Sequence, residues 1–300
     1  MNTHYKAITA EYLAWLETLG YGNSFVDGCK TRIYAFFEWL ENRRIQNINQ
    51  MTVKHIFNYY SYLETRPNKV FKGRLLGVTQ INKSIHAVDK LLEFLHQYGM
   101  VNAPVPANYR LKTNKNERIN KLEIFTQQEI KTLLGCIPET YPSYPFNERQ
   151  IKQYELKLIF ALYYGCGLRR SEGYNLRMDD IDFDRKTVFV KQGKNYKDRV
   201  VPMNDGVYNA LQDYIYNFRH KLKLNHTRLF IYKGYVQNER LKHLINFCND
   251  ENIKTKRITL HILRHSIATH LLQNGMKLEN IALFLGHGNL DSTQIYTHLI

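Results

Sequence analysis

Only two short runs of this chain of 300 residues read as strand. They are Thr187-Val188-Phe189-Val190-Lys191 and Asp198-Arg199-Val200-Val201-Pro202, and Gly193-Lys194-Asn195 between them makes a hairpin. The rest of the pattern is helical, so the expected fold is mainly α with a small β-hairpin or sheet.

The first hundred residues read as helix after helix. Ala7, Tyr12, Leu13, Leu16 and Leu19 fall at helical spacing, and Gly20 and Gly22 supply the stop. A second helix is expected from Ser24, as N-cap, through Ile33, Phe36, Phe37 and Leu40. A third starts near Thr52 and runs toward Pro67. A fourth carries Ile81, Ile85, Val88, Leu91, Leu92 and Leu95 and ends at Gly99. Short links between amphipathic helices make a small bundle.

The composition then changes. Met100 to Lys121 holds Pro104 and Pro106, little that could form a core, and the cations Arg110, Lys112, Lys115, Arg118 and Lys121. It reads as an extended interdomain linker whose charge would suit a strap across nucleic acid, although solvated linkers are often basic too. A second domain opens at a capping box, Thr126 with Glu129 at N3. A more apolar helix is expected from Gln150 to Tyr164, then the hairpin. The remainder is helical, with an apolar face at Ile262, Ile267, Leu271, Leu272, Ile281, Leu283 and Leu285.

Lys plus Arg number 42 against 27 Asp plus Glu, a net charge of +15. Residues 1–110 carry +5 of it and residues 111–300 carry +10. Basic domains, unlike a basic tail, suit a long polyanion gripped along its length; charge alone leaves simple cationic solubility equally open. Hydrophobic residues at 44% and charged residues at 23% exclude a mostly disordered chain, a collagen or a coiled-coil rod. The longest nearly apolar run, Leu156 to Leu168, is too short to span a bilayer, and the N-terminus has no secretory h-region. Cys29, Cys136, Cys166 and Cys248 form no CxxC pair, so a reducing cytoplasm is the expected compartment.

Four segments of the second domain could carry chemistry. In Gly165-Cys166-Gly167-Leu168-Arg169-Arg170-Ser171-Glu172, an arginine after a glycine-rich turn can point a rigid guanidinium at a phosphate, and Glu172 can hold it. Alone, this would be a surface salt bridge. Lys194 at the hairpin tip could set an ammonium against a phosphate or a leaving oxygen; alone, it is a solvated turn. In His261-Ile262-Leu263-Arg264-His265, His261 and Arg264 share a helix face. A zinc reading of His261 and His265 lacks further ligands, and His265 and His270 read as packing or surface residues. The last segment runs from Leu285-Gly286-His287 to Tyr296, one of 22 tyrosines.

Taken together, GLRRSE, a GK hairpin, HILRH, LGH and a tyrosine nine residues past that histidine resemble the tyrosine recombinases, the phage-integrase or Xer family. The match is detailed over residues 160–300. The resemblance implies a helical core-binding domain at 1–100, a basic linker at 101–121, with Lys112, Lys115, Arg118 and Lys121 as DNA contacts, and an α+β catalytic domain at 122–300. It implies that Arg169 and Arg264 clamp the scissile phosphate and that Lys194 protonates the departing 5′ oxygen. His261 would be a proton acceptor or hydrogen-bond partner near the nucleophile, and His287 a donor to the phosphate. Tyr296 would be the nucleophile and Glu172 would orient the basic residues; Arg170 lies outside the match.

Such a site suits the chemistry. Fixed cationic donors oppose the charge of a pentavalent phosphate without a metal, and no other cofactor is implied. The same cations should stabilise a phenolate whose ordinary pKa is about 10. A 3′-phosphotyrosine keeps the phosphodiester energy, so rejoining needs no ATP. The implied partners are double-stranded DNA and further copies of the chain, forming a tetramer on paired sites, with room for accessory directionality proteins and no membrane. Family members usually continue past the tyrosine into a helix that docks on a neighbour. This sequence ends at Ile300, so subunit contacts are expected either elsewhere or through a segment beyond it. A type IB topoisomerase-like enzyme uses similar residues, and a non-catalytic DNA-binding protein could share the fold. The target site and the biological task are not written in these residues.

Overall fold

A computed structural model describes the chain except residues 69–70, 101, 113–122, 192–197, 233, 257, 288–290, 295 and 298–300, and the side chains of residues 291–292. The chain divides into two compact units, Met1–Asn114 and Lys115–Ile300.

The first unit is built from α1 (Thr3–Thr18), α2 (Asn23–Glu41), α3 (Val53–Thr65) and α4 (Val78–Gln97). The apolar spacing brings Tyr12, Leu16, Ile33, Phe36, Phe37, Leu63, Leu91 and Leu92 into one fully buried core. Asn2 caps α1 by accepting from the Tyr5 amide at 2.8 Å. Helix α2 begins one residue before Ser24. Its first free amides, on Phe25 and Val26, bond the Gly22 carbonyl, so backbone rather than the expected serine cap sets the start. The stretch expected to be an extended linker is bound to this unit as far as Leu111. Arg110 pairs with the buried Asp89 at 2.7 Å, and Leu111 exchanges two 2.9 Å hydrogen bonds with Asn82. Asp89 also accepts from Tyr60, and that buried carboxylate is what draws Arg110 back onto the bundle. Lys112 is exposed; Lys115, Arg118 and Lys121 lie outside the described residues.

The second unit opens with α5 (Gln127–Cys136), held by the expected Thr126–Glu129 capping box. Helix α6 (Phe146–Ile159) starts earlier than Gln150, directly after Pro145, and its last turn widens into a π-helical stretch, Phe160–Gly165. The amides of Cys166 and Leu168 reach back to the carbonyls of Ala161 and Leu162, which ends the helix at the glycine pair. There follow α7 (Arg170–Asn175) and an antiparallel sheet of β1 (Ile181–Asp182), β2 (Thr187–Val190) and β3 (Arg199–Pro202) in that order. The expected hairpin strands are each trimmed by one residue, and β1 was not foreseen. Val188 faces Val201 in register, and both are fully buried.

The rest is α8 (Asp205–Gln212), α9 (Gly234–Phe247), α10 (Glu251–Thr255), α11 (Leu260–Gln273), α12 (Leu278–Leu285) and α13 (Asp291–Gln294). Leu283 departs from the expected apolar face: it is 74% exposed, on the side of α12 opposite the buried Ile281, Ala282 and Leu285. Among the described residues no helix is long and apolar enough to cross a membrane.

Candidate active site

The pocket is built around the C-terminus of α12. A helix end leaves carbonyls without intrahelical partners and carries partial negative charge. Here three consecutive carbonyls are taken by three arginines from three different elements. Arg199 Nε donates to Phe284 O at 3.1 Å, Arg264 Nη2 to Leu285 O at 2.7 Å and Arg169 Nη2 to Gly286 O at 2.7 Å. Arg264 Nη1 also donates to Gly167 O at 2.6 Å.

Two glycines make this geometry accessible. Gly286 ends α12 in the left-handed region at φ +65°, with the His287 amide bonded to Ala282 O and its own amide to Leu283 O. This is a Schellman closure, and it fixes where His287 leaves the helix. Gly167, at φ +59°, has no room for a side chain either: a Cβ there would lie 2.8 Å from Leu285 and 2.9 Å from Phe284.

One carboxylate serves all three arginines. Glu172, buried on α7, accepts two hydrogen bonds from Arg199 at 3.0 and 2.9 Å, one from Arg169 Nη1 at 2.6 Å and one from the Arg169 amide at 2.8 Å. Arg264 stands 3.8 Å away. Burial pushes the Glu172 carboxyl upward, but Arg199 and then Arg169 outweigh it and hold its pKa at about 2. Burial, then Arg169, pulls the Arg264 guanidinium down to about 10, still charged at neutral pH. Three guanidinium groups against one carboxylate leave the pocket with surplus positive charge. Each guanidinium carries five donors, so hydrogen-bonding capacity remains for an anion.

Tyr296 is 1% exposed and touches two imidazoles. His265 Nδ1 lies 3.1 Å from its hydroxyl, and the His287 ring stacks on it, 12° from parallel with centroids 6.4 Å apart. His287 Nδ1 meets the Thr293 hydroxyl at 2.7 Å. Burial, reinforced by the neighbouring cations, lowers both histidines to about 4, so both are neutral at pH 7. The resting phenol is set mainly by its enclosure. Burial raises its pKa and outweighs the pull of Arg264 and Arg169, so it stays protonated at neutral pH.

The structure thus brings Arg169, Arg264, Glu172, His287 and Tyr296 together. His261 stands on the first turn of α11, where partial desolvation, then the charges of Arg170, Arg264 and Arg169, lowers its pKa. Lys194 lies outside the described residues. Sequence reasoning missed Arg199 and His265. The first had a signal: it shares a strand face with the buried Val201, and an inward arginine requires a partner. His265 does more than pack or face solvent, since it touches the tyrosine hydroxyl. His270, by contrast, is buried and bonded to Tyr164. Among the described residues no cluster of three or more His, Cys, Asp or Glu is placed to hold a metal ion.

Residues 123–300 match the sequence profile of the phage integrase family. The chain belongs to that family, the tyrosine recombinases, which are DNA strand transferases of site-specific recombination. It is 31% identical over 278 residues to tyrosine recombinase XerC of Oceanobacillus iheyensis, covering 88% of this chain and 82% of that protein. It is 39% identical over 217 residues to XerC of Halalkalibacterium halodurans, covering 69% of this chain and 68% of the relative. In fold it is similar to the XerH site-specific recombinase solved with difH substrate in a pre-cleavage complex. The TM-score is 0.69 at 20% identity, over 91% of this chain and 76% of that one.

Proposed function

We propose that this recombinase cuts and rejoins double-stranded DNA through a 3′-phosphotyrosine on Tyr296, exchanging strands between two paired sites. The observation that carries the proposal is the surplus positive charge of three arginines gathered beside one buried tyrosine. A phosphodiester is the anion such a pocket suits, and the pentavalent transition state, more negative still, suits it better. Arg169 and Arg264 hold the non-bridging oxygens, and His287 donates to the phosphate. Lys194 protonates the departing 5′ oxygen, His261 supports the reacting centre and Glu172 keeps the arginines in register.

The DNA-bound state of the XerH structure supports duplex DNA as partner, as does net positive charge in both halves of the chain. The cationic stretch from Lys112 through Lys115 and Arg118 to Lys121 adds phosphate contacts. The active assembly is a tetramer on two sites, working in the cytoplasm.

A nicked suicide substrate tests this. Wild type should accumulate a covalent adduct mapping to Tyr296, while Tyr296→Phe binds the same DNA and forms none. Adduct formation by that variant would reassign the nucleophile. Plasmid relaxation without joint products between two target-bearing plasmids would mean that strands are cut but not exchanged.

A further inference from the structure

The histidine that meets the nucleophile is His265, four residues past His261 on α11. We propose that His265 is a catalytic residue, the general base that takes the phenol proton as Tyr296 attacks. The inference rests on the strand-transfer reading and adds a role to it.

The geometry carries the assignment. The separation of 3.1 Å between His265 Nδ1 and the Tyr296 hydroxyl is within direct proton-transfer reach. The two rings are tilted at 52° with centroids 5.6 Å apart, and Nδ1 meets the oxygen at the ring edge. The Tyr296 ring also stacks with His287, whose Nδ1 is occupied with Thr293. The phenol is fully buried, so bulk water is a poor recipient for its proton.

The surroundings fit a base. The groups facing His265 are His261 and Arg264 on its own helix and Tyr296 and His287 from the terminal segment. Burial, then His261 and Arg264, keeps the imidazole uncharged, so a nitrogen lone pair is free to receive a proton. With the phenol donating, Nδ1 accepts and the ring proton sits on Nε2. A bound phosphodiester adds negative charge beside the ring and raises its basicity when a base is needed.

In the step, the Tyr296 O–H bond breaks and its proton passes to His265 Nδ1. The phenolic oxygen bonds to phosphorus as the bond from phosphorus to the 5′ oxygen breaks. That oxygen takes a proton from Lys194. On rejoining, a 5′-hydroxyl gives its proton back to Lys194 as its oxygen bonds to phosphorus, the bond from phosphorus to the tyrosine oxygen breaks, and the imidazolium returns its proton to that oxygen, so the cycle closes without a co-reactant.

The test compares single-turnover adduct formation on the nicked substrate. His265→Asn keeps a hydrogen-bond acceptor but cannot carry the proton. It should bind DNA and melt like wild type, yet react about 100-fold or more slowly. Replacing Tyr296 by a ring-fluorinated, more acidic tyrosine should restore the variant by at least about tenfold more than it changes wild type. His265→Ala with added imidazole should recover rate in proportion to the free base. Wild-type rates in His265→Asn, or the same fluorotyrosine factor in both backgrounds, would overturn the role. Absence of any Tyr296 adduct from wild type would instead overturn strand transfer itself, and with it this inference.

Discussion

Arg199 and Glu172 meet fork to fork: both terminal nitrogens of the guanidinium bond both carboxylate oxygens, at 3.0 and 2.9 Å, with each side chain less than a tenth exposed. The pair joins β3 to α7, while the remaining Arg199 nitrogen holds the end of α12. A buried, bidentate pair of this kind is costly to break on one side, because the survivor is left charged and unpaired. A double-mutant cycle of Arg199→Met and Glu172→Gln should return a coupling of at least about 1 kcal/mol in urea unfolding. Arg199→Lys should recover the charge but not the fork, and should lower cleavage with little change in DNA affinity. Additive single-mutant effects would show that the two side chains do not support one another.

Acid should weaken the second unit in two successive windows that overlap near pH 4. Between pH 6.5 and about 4, His265 and His287 stay neutral in the folded state while their unfolded counterparts gain protons. Stability is therefore complete above 6.5 and lost as pH falls toward 4, by up to about 1.4 kcal/mol per pH unit for each. His287→Gln should flatten that slope, measured by urea unfolding from pH 7 to 5; an unchanged slope would contradict the assignment. Glu172 acts lower. Its contribution is complete above 4.5 and disappears as pH falls toward 2, about 3 kcal/mol in all.

Gly286 and Gly275 provide an internal control. Both lie at positive φ, +65° and +82°, but a Cβ at Gly275 meets nothing within 4 Å, whereas one at Gly286 would lie 2.9 Å from Arg199. Gly275→Ala should cost about 1 kcal/mol of backbone strain and leave cleavage intact. Gly286→Ala should cost about 1–3 kcal/mol more and reduce cleavage, because Arg199 must move. Equal losses at the two positions would remove the steric argument.

Lys194→Ala should be rescued selectively by a substrate whose 5′ leaving atom is sulfur, which needs less protonation than oxygen. The measurement is the ratio of cleavage rates on the two substrates, in variant and wild type. Equal defects on both would take the acid role away from Lys194.

What could be read without coordinates was what is local. The apolar spacing from Ile81 to Leu95 writes a buried helix face directly, and the Thr126–Glu129 box is complete within four residues. The helix start at Asn23, capped by Gly22, was missed because Ser24 is the better capping residue, while the backbone made the first bonds. Leu283 was assigned to the core because periodicity does not mark where one flank of a short helix runs out of neighbours. At the site, Arg199 depends on a carboxylate 27 residues earlier and a carbonyl 85 residues later. No short motif encodes such a distance. His265 looked like packing because its partner lies 31 residues on, in the terminal segment. The tyrosine's protonation could not be read either, since it is a contest between cations visible in the sequence and an enclosure that only the fold creates.

The final turn of α12 has a consequence for control. Carbonyls of successive residues there anchor guanidinium groups from the N-cap of α7, β3 and α11, and His287 departs from the same turn. Pulling on that turn cannot shift one of them without shifting the others. A force applied there would act through a single lever on all three guanidinium groups in one motion.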